Sequence, residues 1–284
     1  MHAAAAVDPT AKDIPAAAQA TVELRNVGKT FIDRKRGRET VALSDVSMTI
    51  DKSEFACILG PSGCGKSTIL NLVAGFEQPN AGAVLIDGHP ITAPDRSRGM
   101  VFQQPLLFPW LNIVDNITFG PRMAGAPAEQ YAAQAARYVQ LMGLTGFEKH
   151  YPYELSGGMQ QRVALARAWI SEPELFLMDE PFGALDAQTR LMMQELLLRV
   201  WERSRTTVLF VTHDIDEALF LADRIFIMTA RPGRIKENLA VDFKRPRNYE
   251  TIIFEQQYIT LKQRILQVIR GETLQAMKLE VEVE

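Results

Sequence analysis

The chain has little of what would tie it to an oxidising compartment, a bilayer or a nucleic acid. Its 284 residues include two cysteines, Cys57 and Cys64. The second falls in a glycine-rich loop that a disulfide would distort, so both read as free thiols in a reducing compartment. No apolar run approaches the roughly 20 residues a membrane-spanning helix needs, so any work at a membrane has to pass through a partner. Residues 1–20 carry Asp8, Pro9, Lys12, Asp13 and Pro15 where a secretory signal requires an unbroken apolar stretch; they read as a flexible leader. The formal net charge of −3 gives no whole-surface attraction for nucleic acid. One basic cluster, Arg34, Lys35, Arg36 and Arg38, reads as a solvated loop inside the polar turn Asp33 to Thr40.

What the chain does carry is phosphate chemistry. A strand pattern begins at Thr21, a second runs from Val41 to Ile50, and the apolar strand Phe55–Leu59 feeds directly into Gly60, Pro61, Ser62, Gly63, Cys64, Gly65, Lys66, Ser67 and Thr68. This run satisfies GxxxxGK[ST] in the strand–loop–helix setting the motif requires. Glycines let the backbone curl until successive N–H groups face phosphate oxygens; Lys66 adds a mobile positive charge, and the Ser67 hydroxyl is a ligand for Mg2+. Cys64, among those N–H donors and beside Lys66, is expected to favour the thiolate, while Cys57 on the strand should react slowly. Downstream, Leu175-Phe176-Leu177-Met178-Asp179-Glu180 reads as a buried strand ending in two carboxylates. Asp179 is placed to hold hydrated Mg2+, and Glu180 to take a proton from a water in line with the γ-phosphate.

Between these motifs stands LSGGMQQR: Leu155, Ser156, Gly157, Gly158 and Met159 open a run of helix formers. By itself this is a serine N-cap with a glycine turn; next to two phosphate motifs it also offers free N–H groups and a helix dipole to an anion. A further strand, Thr207–Thr212, ends at His213, a position where a lone histidine ordinarily caps or packs.

In this order the motifs resemble the nucleotide-binding subunits of ABC transporters, from about Val22 to Arg247. The resemblance implies an α/β fold: a RecA-like P-loop NTPase core with an antiparallel β-subdomain and an inserted α-helical subdomain. The expected boundaries are a nucleotide-binding domain over residues 21–247, its helical subdomain over about 104–159, and a helical extension over 248–284 with a small helix around Thr260–Ile269. It implies ATP and Mg2+ as cofactors. It also implies roles. Gln103 touches Mg2+ or the attacking water, with Gln104 the alternative of the pair. His213 reaches the γ-phosphate. Phe31 stacks on adenine, or else packs under the hairpin. Asp186, in Gly183-Ala184-Leu185-Asp186, lies along a dimer interface, unless that run is a simple turn into the next helix. Leu155 to Met159 cap an ATP held by a second chain, either a copy of this one or a similar ATPase.

Two membrane-spanning permease subunits and, indirectly, a periplasmic or extracellular solute-binding protein complete the implied machine, with this chain peripheral on the cytoplasmic face of the inner membrane and no nucleic acid involved. The run Leu106-Leu107-Phe108-Pro109-Trp110-Leu111 is expected either in the groove that receives a permease helix or buried in the helical subdomain. The phrases LLFPWLNIVDNI, HDIDEALFLADRI and ARPGRI are similar to ATPases of importers for nitrate, sulfonate and taurine. A soluble ABC ATPase working on DNA or ribosomes would bring a long coiled-coil insertion or a second cassette, and the sequence has neither. An ATP-binding assembly factor without turnover would lack the carboxylate that Glu180 supplies.

Overall fold

The computed structural model describes residues 21–33 and 37–281; the expected leader and the basic residues Arg34, Lys35 and Arg36 lie outside them. In chain order come β1 (Val22–Asp33), β2 (Arg38–Ile50), β3 (Phe55–Leu59), α1 (Lys66–Ala74), β4 (Ala81–Ile86), β5 (His89–Pro90) and β6 (Arg98–Val101). A helical stretch follows: α2 (Ile113–Ile117), α3 (Phe119–Met123), α4 (Ala128–Leu141), one 3-10 turn at Pro152–Glu154, and α5 (Gly157–Trp169). The chain continues through β7 (Leu175–Asp179), α6 (Ala187–Ser204), β8 (Thr207–Thr212), α7 (Ile215–Leu221), β9 (Arg224–Met228), β10 (Ile235–Ala240), α8 (Tyr249–Ile252) and α9 (Gln256–Val281).

Two sheets result. The core sheet has the order β10-β9-β3-β8-β7-β6, parallel except for the antiparallel edge strand β10. Its central strands are apolar throughout because both faces are covered, as parallel sheets require. Period-two alternation sorts them: Ala56, Ile58, Leu175, Leu177, Leu209 and Val211 face α1 and the second sheet. Phe55, Cys57, Phe176, Met178, Val208 and Phe210 face the cluster containing Trp169, Trp201 and Phe220. The second sheet is antiparallel, order β2-β1-β4-β5. Its hairpin is longer than the sequence suggests: pairing runs out to Asp33↔Arg38, because paired backbone groups extend the ladder whatever the polarity of the side chains.

The helical insertion is stitched by polar groups. Asn116 is fully buried; its side chain accepts from Phe108 N at 2.9 Å and donates to Phe108 O, Leu111 O and Asn112 O at 2.9–3.1 Å. This pins the Leu106–Leu111 run from beneath and leaves its outer edge in solvent, with Leu106 55% and Trp110 70% exposed. The tail differs from expectation. Instead of a small helix, α9 runs 26 residues and packs on the core through Tyr258 and Ile265, both buried.

Candidate functional site

The parallel strands β3, β8, β7 and β6 are neighbours in the core sheet, so their C-terminal ends share one edge, where α/β sheets present ligand sites. Each strand delivers candidates there. After β3, the loop Gly60–Gly65 turns into α1. Gly65 adopts φ 105° as the N-cap, and a side chain on it would overlap Leu43 and the Ala42 carbonyl. No side chain caps the start of α1, which leaves its first N–H groups for an anion. Pro61 is half-buried, Ser62 and Gly63 are exposed, and Thr68 is half-buried. Lys66 is 5% exposed, and its Nζ donates to the Gly60 and Pro61 carbonyls at 2.9 and 3.0 Å.

The Ser67 hydroxyl donates to Asp179 Oδ1 at the end of β7, 3.1 Å away. Burial holds the Asp179 carboxyl above its ordinary pKa; the Ser67 hydrogen bond opposes this, and Glu180 beside it adds to it. A carboxylate and a hydroxyl form a hard, all-oxygen pair, the donor set that suits Mg2+ when substrate phosphates and waters complete the shell. Among the described residues no group of three or more His, Cys, Asp and Glu could hold a metal ion by itself. Glu180 sits at φ 43°, in the left-handed region a non-glycine residue occupies only under local constraint; its N–H donates to Val211 O on the neighbouring strand at 2.9 Å. The side chain thereby turns to His213 after β8, with Nδ1 and Oε2 2.8 Å apart. Gln103, two residues beyond β6, is exposed. A methyl group placed on Gly183 would lie 3.6 Å from Gln103 Nε2 and 3.9 Å from Glu180 Cβ, so the amide and the carboxylate border the same space.

The remaining candidates are spread around this cluster. Ser156 caps α5, accepting from Met159 N at 3.3 Å; Ser156 and Gly157 are exposed and Leu155 is buried. Gly158 lies close against α6: a side chain there would meet Thr189 at 2.9 Å. Asp186 caps α6 by accepting from Thr189 N at 3.0 Å, a geometry common to the interface and the simple-turn readings of this run. Phe31 is 40% exposed, with Lys29 Nζ 5.1 Å from its ring centroid.

Cys64 corrects its expectation. Its thiol is 1% exposed, 3.9 Å from Met228 Sδ, and burial raises its pKa in spite of Lys66 and Arg231 nearby. Burial thus favours the thiol over the thiolate. Cys57 is buried and free as well, its pKa pushed still further up by burial.

Sequence reasoning missed several residues that brace the site. Arg190 links Leu185 O (2.9 Å) to Asp214 Oδ2 (3.3 Å), and Asp214 caps α7 by accepting from Asp216 N and Glu217 N. Glu217 is 4% exposed, receives Gln194 Nε2 at 3.0 Å, and is pushed up to about 7, chiefly by burial. Arg167, near the end of α5, donates to Leu106 O at 2.9 Å and Pro105 O at 3.1 Å. Asp214 fits the spacing of an N-cap, two and three residues before the N–H groups it accepts from; Arg190, Glu217 and Arg167 carry no such mark, because Asp214, Gln194 and the carbonyls after Gln103 lie 23 to 62 residues away from them.

The model of the ABC transporter family matches residues 43–183, and relatives match along most of the chain. The chain belongs to the ABC transporter ATP-binding family. A taurine import ATP-binding protein of Ruegeria pomeroyi is 46% identical over 78% of this chain and 82% of its own. An aliphatic sulfonates import ATP-binding protein of Bacillus thuringiensis is 43% identical over 87% and 95%, and a nitrate import ATP-binding protein of Synechocystis is 41% identical over 88% and 95%. Among solved structures, a dimeric ATP-binding cassette in a post-hydrolysis state bound to ADP and Pi superposes with a TM-score of 0.69 at 33% identity, covering 78% of this chain and all of that one. This ABC ATPase therefore has the RecA-like P-loop NTPase fold, and it binds and hydrolyses ATP.

Proposed function

We propose that the ABC ATPase powers solute import: it pairs with a second copy or a similar ATPase, and ATP-driven closure and hydrolytic reopening of that pair drive two membrane-spanning permease subunits. The cargo class is nitrate, sulfonate, taurine or a similar small anion, handed over by a periplasmic or extracellular binding protein, and no nucleic acid takes part. Support for the cargo comes from the names of the relatives. In this reading the chain sits peripherally on the cytoplasmic face and works through its partners; among the described residues no helix is long and apolar enough to cross a membrane.

The observation that carries the chemistry is the cluster of Ser67–Asp179 at 3.1 Å and Glu180–His213 at 2.8 Å at adjacent strand ends. The loop from Gly60 to Thr68 cradles the phosphates, and Lys66 moves its ammonium from loop carbonyls to phosphate oxygen. Phe31 offers its exposed face to the adenine. Ser67, Asp179 and Gln103 would hold Mg2+, which supplies charge neutralisation on the β- and γ-phosphates. Glu180 takes the proton of a water whose oxygen bonds to the γ-phosphorus as the bond to ADP breaks. His213 pairs with Glu180 through Nδ1, and its Nε2 donates to the γ-phosphate in the form of the ring that carries a proton on both nitrogens. Ser156, Gly157 and Gly158 of the signature run Leu155 to Met159 cap the γ-phosphate bound by the partner, and Asp186 lies at that interface. Leu106 and Trp110, exposed beside Gln103, take the permease contact, together with the cleft of about 1080 Å3 lined by Arg96, Arg98, Pro121, Gln130 and Arg167.

Two measurements test this reading. Glu180→Gln is expected to keep ATP affinity and lower turnover by roughly 10²–10⁴-fold, the range for loss of a general base; undiminished hydrolysis would remove Glu180 from the mechanism. Affinity purification from membranes is expected to bring down an integral permease. Recovery of the ATPase alone would favour a soluble ABC ATPase unconnected to transport.

A further inference from the structure

The connection between β9 and β10 lies beyond the region matched by the family model, yet it touches the phosphate loop twice. The turn is closed on itself: Thr229 Oγ1 donates to Pro232 O and accepts from Arg234 N, both at 3.0 Å. From it, Arg231 donates Nε and Nη2 to the Gly63 carbonyl at 3.3 and 3.1 Å. Two residues on, Gly233 lies so close to the Cys64 carbonyl that a side chain there would come within 2.1 Å of the oxygen. Gly233 is itself held by β2, its N–H on Ala42 O at 2.9 Å and its carbonyl on Ser44 N at 3.0 Å. A trans peptide is planar with its C=O and the following N–H pointing opposite ways. Contacts on the carbonyls of Gly63 and Cys64 therefore also orient the N–H of Cys64, which donates within the loop to Pro61 O at 3.4 Å, and the N–H of Gly65, one of the loop's donors to phosphate.

The same turn is gripped from behind. Glu272 on α9 has a side chain only 6% exposed; it accepts from Ala230 N at 3.0 Å and pairs with Lys236 at 3.2 Å. A carboxylate that far from water persists where charge-assisted partners hold it, and both partners here belong to the turn and the strand that leaves it. One line of direct contacts runs from α9 through Glu272 and Ala230 to Arg231 and the phosphate loop.

We propose that Arg231 is a positioning residue of the nucleotide site and that the C-terminal helix sets it through Glu272. The guanidinium keeps the loop's peptide planes aimed at the phosphates before ATP arrives, so its contribution appears in nucleotide affinity and not in the chemical step. The proposal rests on Gly60 to Thr68 being the phosphate loop, and Lys66→Ala tests that separately: if Lys66→Ala bound ATP normally, the site reading would fail whatever Arg231 does.

The experiment is steady-state ATPase kinetics and thermal unfolding of the full chain. Arg231→Ala is expected to raise KM for ATP about tenfold, the size of one charge-assisted hydrogen bond, with a much smaller change in kcat and in Tm. Arg231→Lys, which keeps a donor but not the fork, should fall between. Glu272→Ala should shift KM in the same direction, and the double variant should be no worse than Arg231→Ala alone. Glu272→Gln, a neutral acceptor of the same shape, guards against misfolding of the alanine variant and should raise KM less. A parental KM in Arg231→Ala, with or without a loss of Tm, overturns the positioning role. Parental KM in both Glu272 variants, or KM increases that multiply in the double variant, overturns the part assigned to the helix.

Discussion

Glu217 shows how a residue outside the motifs bears on the site. Burial favours its neutral form, and the hydrogen bonds from Thr212 and Gln194 do not restore the ordinary value. With the folded pKa at about 7 against 4.5, the linked stability is fully present below about 4.5 and is lost as pH rises through about 7. The span corresponds to roughly 3 kcal/mol. Glu217→Gln keeps an oxygen for Gln194 and carries no charge, so its Tm is expected to vary less than the parent's between about pH 5 and 8, and to exceed it at the upper end. Thermal melts across that range check this; a Tm at pH 8 below the parent's would contradict the assignment. At this scale the sequence shows which residues touch phosphate, because the phosphate loop and the paired carboxylates are contiguous patterns. It does not show whether a side chain is wet. Cys64 illustrates the difference: its neighbours along the chain suggested a thiolate, and Met228, distant in sequence, closes over it.

Among the elements, strands Phe55–Leu59, Leu175–Asp179 and Thr207–Thr212 were legible because central parallel strands are short apolar runs bounded by turns. The length of α9 was not. Its buried side is sparse, with Tyr258, Ile265 and Glu272 as the buried residues among its described side chains, and Gly271 interrupts the pattern, so helical periodicity faded before the helix ended. Nor was the tie between α5 and the segment after Gln103. Arg167 reaches the carbonyls of Pro105 and Leu106 and lies 5.4 Å from the Phe108 ring centroid; burial also lowers its pKa. The helix that begins at Ser156 is thus fastened at its far end to the loop carrying Gln103. Arg167→Ala is expected to leave ATP binding by the single chain near normal while weakening the coupling of hydrolysis to the permease. The ratio of ATP hydrolysed to solute taken up in reconstituted vesicles measures this; an unchanged ratio would count against the tie.

On the scale of the whole molecule, the expectation is that two chains make one site. Ser156 and Gly157 stand exposed at the start of α5, with an N-terminal dipole available to an anion outside their own fold. Ser156→Arg adds bulk and charge there. It is expected to preserve ATP binding by the single chain and to abolish ATP-driven pairing and hydrolysis. Mixed with Lys66→Ala, it should allow at most one composite site, formed by intact Lys66 from one chain and intact Ser156 from the other. Size-exclusion chromatography and turnover of each variant and of the mixture test this. Parental pairing and hydrolysis by Ser156→Arg alone would show that the serine caps nothing in trans.

Trp110 stands 70% exposed on the run after Gln103, whereas Trp169 and Trp201, the chain's other tryptophans, are 2% and 0% exposed. The chain thus has a natural optical label on the face assigned to the permease: the red side of its emission belongs to one indole, and the two interior indoles form a constant background. Covering that face should shift the emission to the blue and shield it from iodide or acrylamide. Trp110→Phe should erase the response without touching the rest of the spectrum.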